Sequence, residues 1–242
     1  MSLQVFRDRL QHQKAKGKPN TIFPEGCYGA SNAPLVFVGP SPGGGNTDTA
    51  YSERASDGDG AYWNFEFKEP FEEWSNGFRT SLKPIVETML QIPLAEGANK
   101  LFAFINFDWI QNPDSSKVPS VRINEGKEIV LSVLKEVNPK IIVALDARAY
   151  QALVQVIEKD YCLVDLKKQN VRVRTASSNS FHREVKAHLI VGHGELSGTV
   201  FLKSLQHPAR IYNADYAERV SITLRKAYEA VVNSEELCVI LE

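Results

Sequence analysis

Leu35-Val36-Phe37-Val38, followed at once by Gly39-Pro40-Ser41-Pro42-Gly43-Gly44-Gly45, is the segment from which the rest of this chain is read. Four consecutive apolar residues without a polar face are too few for a helix and read as a strand buried on both sides. The glycines and prolines behind them end the strand sharply and let backbone approach a ligand closely. Compact apolar runs recur at Leu101–Asn106, Lys140–Leu145 and Val200–Leu205. Between them lie apolar residues at helical spacing: Leu82, Ile85, Val86, Met89 and Leu90, then Ile129, Val130, Val133, Leu134 and Val137. Asn124 is the expected N-cap of the second helix and Asn138-Pro139 its stop; Asp146 should cap a third, through about Ile157. Tyr216, Val220, Leu224, Tyr228 and Val231 mark a C-terminal amphipathic helix. Val171–Arg174 and Val185–Val191 read as additional strands. Short apolar strands alternating with helices predict an α/β fold, a mostly parallel central sheet covered on both faces.

The chain has 242 residues, 43% hydrophobic and 24% charged, which suits one large α/β domain. No repeat, linker or second composition regime breaks it, so a single domain over residues 1–242 is expected. A short helix over residues 3–15 (Leu3, Phe6, Leu10) and a basic connector, Lys14–Pro19, are appended in front. The polar stretch Asn46–Gly60 reads as a loop, and aromatics crowd the residues after it from Tyr62 to Phe78.

A formal net charge of -1 excludes a surface coated in positive charge for indiscriminate polyanion binding. It leaves room for a local strip of cations, for which Arg172, Arg174, Arg183 and Arg210 are the candidates. The start lacks a basic, then apolar, leader, and the longest apolar runs are too short for a bilayer. Cys27, Cys162 and Cys238 form no CxxC pair, which argues against a zinc ribbon and for reduced thiols in a cytoplasmic protein. Neither a metal nor a cofactor is expected, and His182, His188 and His193 show no ligand spacing; of these, His193 in its Gly-His-Gly loop stands out most.

In open sheets of this kind ligands sit beyond the carboxyl ends of the strands. Three such ends carry chemistry here: Gly39–Gly45, Asn106–Asp108 and His207–Arg210. Consecutive amides of the first could cradle a phosphate, or it is simply a turn; it fits neither the Walker nor the dinucleotide-binding pattern. Asn106 ends an apolar strand with an amide, which either simply turns the chain there or offers a donor and an acceptor to the edge of a pyrimidine. Asp108 follows two residues later, on the same face if the strand geometry persists. His207, before Pro208, is either a structural strand-end residue or one that donates a hydrogen bond to a developing oxyanion, and Arg210 can meet a phosphate.

In order and spacing these loops resemble the uracil-DNA glycosylase superfamily. The resemblance rests on Gly39-Pro40-Ser41-Pro42-Gly43 after the first strand, Phe104-Ile105-Asn106 in the middle, the Asn138–Leu145 strand with Ala147–Ala149 behind it, and His207-Pro208-Ala209 at the end. It covers about residues 34–230. It implies a three-layer α/β/α sandwich, and hydrolysis of the N-glycosidic bond of uracil or a related deaminated base in DNA. His207 would then stabilise the departing base, Asn106 would read it, and Tyr62 or Trp63 would stack on it. Gly39, Pro42 and Gly43 would shape the base pocket. Gly44, Gly45, Arg210, Arg172, Arg174 and Arg183 would hold phosphates. The implied protein is a monomeric DNA-repair hydrolase, cytoplasmic or nucleoid-associated, with uracil-bearing DNA as its partner.

Three positions depart from the family pattern. Ser41 stands where an Asn or Asp usually positions the water, and a hydroxyl is too weak a base to take its proton at neutral pH. Pro40 offers no side-chain polarity, and Ala209 replaces a small hydroxyl residue. Asp48 or Asp108 would have to supply the carboxylate. Two other readings therefore stand beside the enzyme: a catalytically impaired relative that binds a nucleobase-like ligand or single-stranded nucleic acid, and a phosphate-binding hydrolase built on the glycine loop.

Overall fold

The computed structural model describes residues 27–29, 32–41, 76–98, 101–108, 118–174, 180–204 and 214–233. In chain order these form β1 (Cys27–Gly29), β2 (Leu35–Gly39), α1 (Asn76–Leu90), β3 (Phe102–Asn106), α2 (Ser120–Val137), β4 (Ile141–Ala144), α3 (Ala147–Ile157), β5 (Cys162–Arg174), β6 (Ser180–Val191), β7 (Val200–Lys203) and α4 (Ala214–Val232). The expected helix over 3–15, the connector Lys14–Pro19, the loop Asn46–Gly60 and the aromatics from Tyr62 to Trp74 lie outside the described residues.

The strands make one sheet in the order β1-β3-β2-β4-β7-β6-β5. Its centre, β3, β2, β4 and β7, is parallel. Strand β1 and the β5–β6 hairpin add antiparallel edges. The protein is thus α/β with a mostly parallel central sheet, an arrangement compatible with a three-layer sandwich.

Two-residue alternation explains why the central runs carry no polar face. Val36, Val38, Ala103, Ile105, Ile142 and Ala144 pack on one side against Ile129, Val130, Val133 and Leu134 of α2 and Leu153 and Val156 of α3. Leu35, Phe37, Phe102, Phe104, Ile141 and Val143 face the other way, onto Leu82, Ile85 and Met89 of α1 and Val220 and Leu224 of α4. Phe37 and Phe104 stack there with ring centroids 5.0 Å apart. With helices on both faces, every central strand residue is buried except Lys203 at the end of β7, which is half-buried.

The helix ends follow local chemistry, with one correction. Asp146 caps α3 as expected, its carboxylate accepting the Ala149 N–H at 2.8 Å. Asn138 ends α2 in the left-handed region (φ 50°), its N–H donating to the Leu134 carbonyl. Asn124, however, is not the N-cap of α2: the helix begins at Ser120 behind Pro119, and Asn124 lies inside it. Pro119 arrives with its φ preset, and its carbonyl accepts from Arg122 and Ile123, so the first turn closes without a side-chain cap.

The hairpin also runs further than the expected strands, pairing from Cys162↔Val191 out to Arg174↔Ser180. A register shift between Asp165 and Lys167 hides this in the sequence, because one extra residue breaks the alternation. Among the described residues no helix is long and apolar enough to cross a membrane.

Candidate functional site

The order of the connections fixes where a crevice opens. From β2 the chain passes through α1 to β3, while from β4 it passes through α3 towards β7 on the opposite side. Helices α1 and α3 cover opposite faces, so the chain leaves β2 and β4 in opposite directions. Such a switch point parts the loops at the carboxyl ends of the two strands, here Gly39-Pro40-Ser41 and Leu145-Asp146.

Asn106 is brought to this point by register. It pairs with Gly39 across β3 and β2 and is 4% exposed. A Cβ built on Gly39 would lie 2.6 Å from Asn106 Oδ1 and 3.6 Å from Leu145 Cδ1. The amide therefore lies across the Gly39 backbone, and only glycine leaves it that place. The parallel ladder continues past the strand ends: the Phe107 N–H donates to the Gly39 carbonyl at 3.1 Å, and the Asp108 N–H to the Pro40 carbonyl at 2.9 Å. Ser41 follows directly on the bonded Pro40. It is buried, and its Oγ has no hydrogen-bond partner among the described residues.

Asp108 is also buried, with Arg122 Nε 3.3 Å from its Oδ2. Arg122 comes from the first turn of α2, and Gly126, four residues on, lies on the same helix face. A Cβ at Gly126 would sit 1.9 Å from the Phe107 carbonyl oxygen. Helix α2 is thus pressed onto the end of β3 and sets the position of the Asn106–Asp108 segment. The Arg148 guanidinium donates to the Val118 carbonyl and ties the start of α3 to the approach to α2. Of these supports, only Gly126 left a trace in the sequence: a glycine inside an amphipathic helix pattern signals a close approach.

Of the expected site residues, the fold brings Gly39, Ser41, Asn106 and Asp108 together. Strand β7 ends at the same edge, where the Ser204 N–H donates to the Ala144 carbonyl at 2.8 Å. Arg172 and Arg174 of β5 and Arg183 of β6 belong to the hairpin, where Arg172 pairs with His182 and Arg183 with Val171. His207, Arg210, Asp48, Tyr62, Trp63, Pro42, Gly43, Gly44 and Gly45 lie outside the described residues.

The histidine that the fold singles out is not His193, which is exposed on a turn, but His188. His188 is buried, with Nε2 2.7 Å from the Tyr150 hydroxyl and its ring near those of Tyr150 and Phe201. Burial holds its pKa below the ordinary histidine value; Asp165 and Glu158 oppose the shift, and Lys186 adds to it. The unfolded chain then binds the proton more readily than the folded one. Stability from this group is complete above about pH 6.5 and falls as the pH drops from there towards the lower folded value. A His188→Phe variant should show a flatter dependence of Tm on pH below 6.5 than the wild type; identical slopes would show that His188 is not the group responsible.

Among the described residues no group of three His, Cys, Asp or Glu side chains is placed to hold a metal ion. No family model matches the chain, and no curated protein matches it either.

Proposed function

We propose that the protein is a DNA base-excision glycosylase that hydrolyses the N-glycosidic bond of uracil or a related deaminated base. The observation that carries this reading is the buried Asn106 amide held across Gly39 at the switch point of a parallel sheet. An amide so placed can pair with the donor and acceptor on one edge of an extruded base, and its rigid seat makes that reading selective. Ser41, whose hydroxyl is buried two residues beyond the end of β2, orients the attacking water. His207, in the segment after β7, donates to the negative charge that builds on the base as the bond breaks.

Incubating the protein with single- and double-stranded oligonucleotides bearing uracil, then treating with hot alkali, tests this. Strand scission at the uracil is the expected result. No scission across uracil, hypoxanthine and xanthine substrates overturns the enzyme reading.

One observation favours the second reading, a relative that binds a nucleobase-like ligand or single strand without cleaving it. The buried carboxylate of Asp108 is engaged by Arg122. A carboxylate held against a guanidinium is a poor acceptor for a water proton, which leaves Ser41 to orient that water alone. Salt-dependent oligonucleotide affinity without base release would select this reading.

A further inference from the structure

We infer that Lys186 and Lys203, gathered at the Tyr150 ring, form a phosphate-binding site beside the candidate crevice. The site goes beyond base excision, since it needs only a ligand that carries a phosphate group. Lys203 ends β7, where it pairs with Ala144 of β4, and the next residue, Ser204, donates its N–H to the Ala144 carbonyl at 2.8 Å. The Lys203 backbone is therefore fixed beside Leu145-Asp146, one side of the crevice. In the strand order β3-β2-β4-β7 it lies three spacings from Asn106, roughly 14 Å at about 4.8 Å per strand. Every other residue of the central strands is buried, whereas Lys203 is half-buried and reaches solvent.

Strand β6 brings the second lysine to the same place. Its ladder with β7 reaches Ala187↔Leu202, and one residue further on each strand Lys186 and Lys203 stand opposite each other. Two rungs deeper on the same face lies the pair His188↔Phe201. Tyr150, from the first turn of α3, covers that pair. Its ring centre is 5.3 Å from that of Phe201 and 5.8 Å from that of His188, and its hydroxyl lies 2.7 Å from His188 Nε2. The Tyr150 ring is thus held in place from below. The Lys186 and Lys203 ammonium groups lie 5.7 and 5.5 Å from its centre.

An aromatic face attracts an ammonium group, but two like charges directly opposite on neighbouring strands repel. Asp165, opposite His188 on β5, is exposed, and among the described residues neither lysine is in an ion pair. Guarding a sheet edge against other chains does not account for them, because β6 and β7 are interior strands. An anion between the two ammonium groups supplies the missing charge. Phosphate is the anion their chemistry suits. Two compact charges on flexible four-carbon stems can close on one phosphate and donate to several of its oxygens, whereas a flat carboxylate is met best by the fork of an arginine.

Two probes test the site: a labelled single strand without any damaged base, titrated over a range of salt concentrations, and inorganic phosphate exchanged for chloride at equal ionic strength. Lys186→Gln and Lys203→Gln should each weaken oligonucleotide binding about tenfold and lower the salt slope by about 0.7. Lys203→Arg, which keeps the charge, should keep the wild-type slope. Lys140→Gln is the control, an exposed lysine just before β4 at the opposite end of the sheet, and should bind as the wild type does. Phosphate stabilises folded proteins in general, so the reading is a difference: it should raise the Tm of the wild type more than that of the Lys186→Gln, Lys203→Gln double variant. A response in the first assay alone assigns the phosphate to a nucleic-acid backbone, and in the second alone to a small phosphate ligand; either retains the site. Glutamine variants that match Lys140→Gln with the oligonucleotide, together with equal phosphate shifts in wild type and double variant, would overturn it. So would a Lys203→Arg variant that loses as much as Lys203→Gln. Melting curves of every variant check the fold. Neither probe carries a damaged base, so the outcome is separate from whether the protein releases uracil.

Discussion

Gly126→Ala is expected to lower the stability of the protein by about 2 kcal/mol, a fall in Tm of roughly 4–8 °C for a chain of this size. The sign is the informative part. On helix propensity alone, alanine at a mid-helix glycine stabilises by about 1 kcal/mol. Here the new Cβ would lie 1.9 Å from the Phe107 carbonyl oxygen and 2.7 Å from its carbon, and backbone cannot swing aside as a side chain can. Relief requires α2 to move off β3, taking Arg122 away from Asp108 and loosening the segment that carries Asn106. A thermal melt measures it. A raised Tm would show that α2 does not press on β3, and the account of how Asn106–Asp108 is positioned would fall with it.

Asn106→Ala is expected to slow base release about 100-fold or more, since it removes a preorganised, buried hydrogen-bonding group. Gly39→Ala should reproduce much of that loss without touching the amide chemically. Its Cβ would come within 2.6 Å of Asn106 Oδ1, so the side chain has to leave its seat. Single-turnover release from a uracil-bearing oligonucleotide measures both. Undiminished release by Asn106→Ala would mean that this amide does not read the base.

The central architecture was legible because the physics that forms it is local. Leu35–Gly39, Phe102–Asn106 and Ile141–Ala144 are buried on both faces, so each shows up as an unbroken apolar run bounded by turn residues. Asp146 announced its helix because an aspartate cap acts on the next turn. The rest was obscured for equally specific reasons. A bulge hid the length of β5, and Pro119 started α2 a turn before the asparagine that looked like its cap. Strand β1, three residues long at an edge, carries no periodic signal at all.

The candidate site was legible to a different degree. Asn106 stood out as a polar residue closing an apolar strand, and the switch point explains why that end matters. The Arg122–Asp108 pair joins residues that are distant in sequence and adjacent only once α2 is seated, so no local pattern gives it away. His193 attracted notice for its glycine neighbours, while His188 was inconspicuous within a strand; burial, not local sequence, distinguishes them. The near-neutral net charge was informative in the opposite sense, because it excluded a surface coated uniformly in positive charge.

The central claim is that the crevice formed by Gly39–Ser41 and Asn106 frees a base from DNA. Its most direct test is to follow isotopically labelled uracil in a single-stranded oligonucleotide under single-turnover conditions, with Asn106→Ala in parallel. The account predicts free labelled uracil from the wild type, an intact but abasic strand, and release at least 100-fold slower in the variant. Label that stays in the strand with the wild type, or equal release by both proteins, would contradict it.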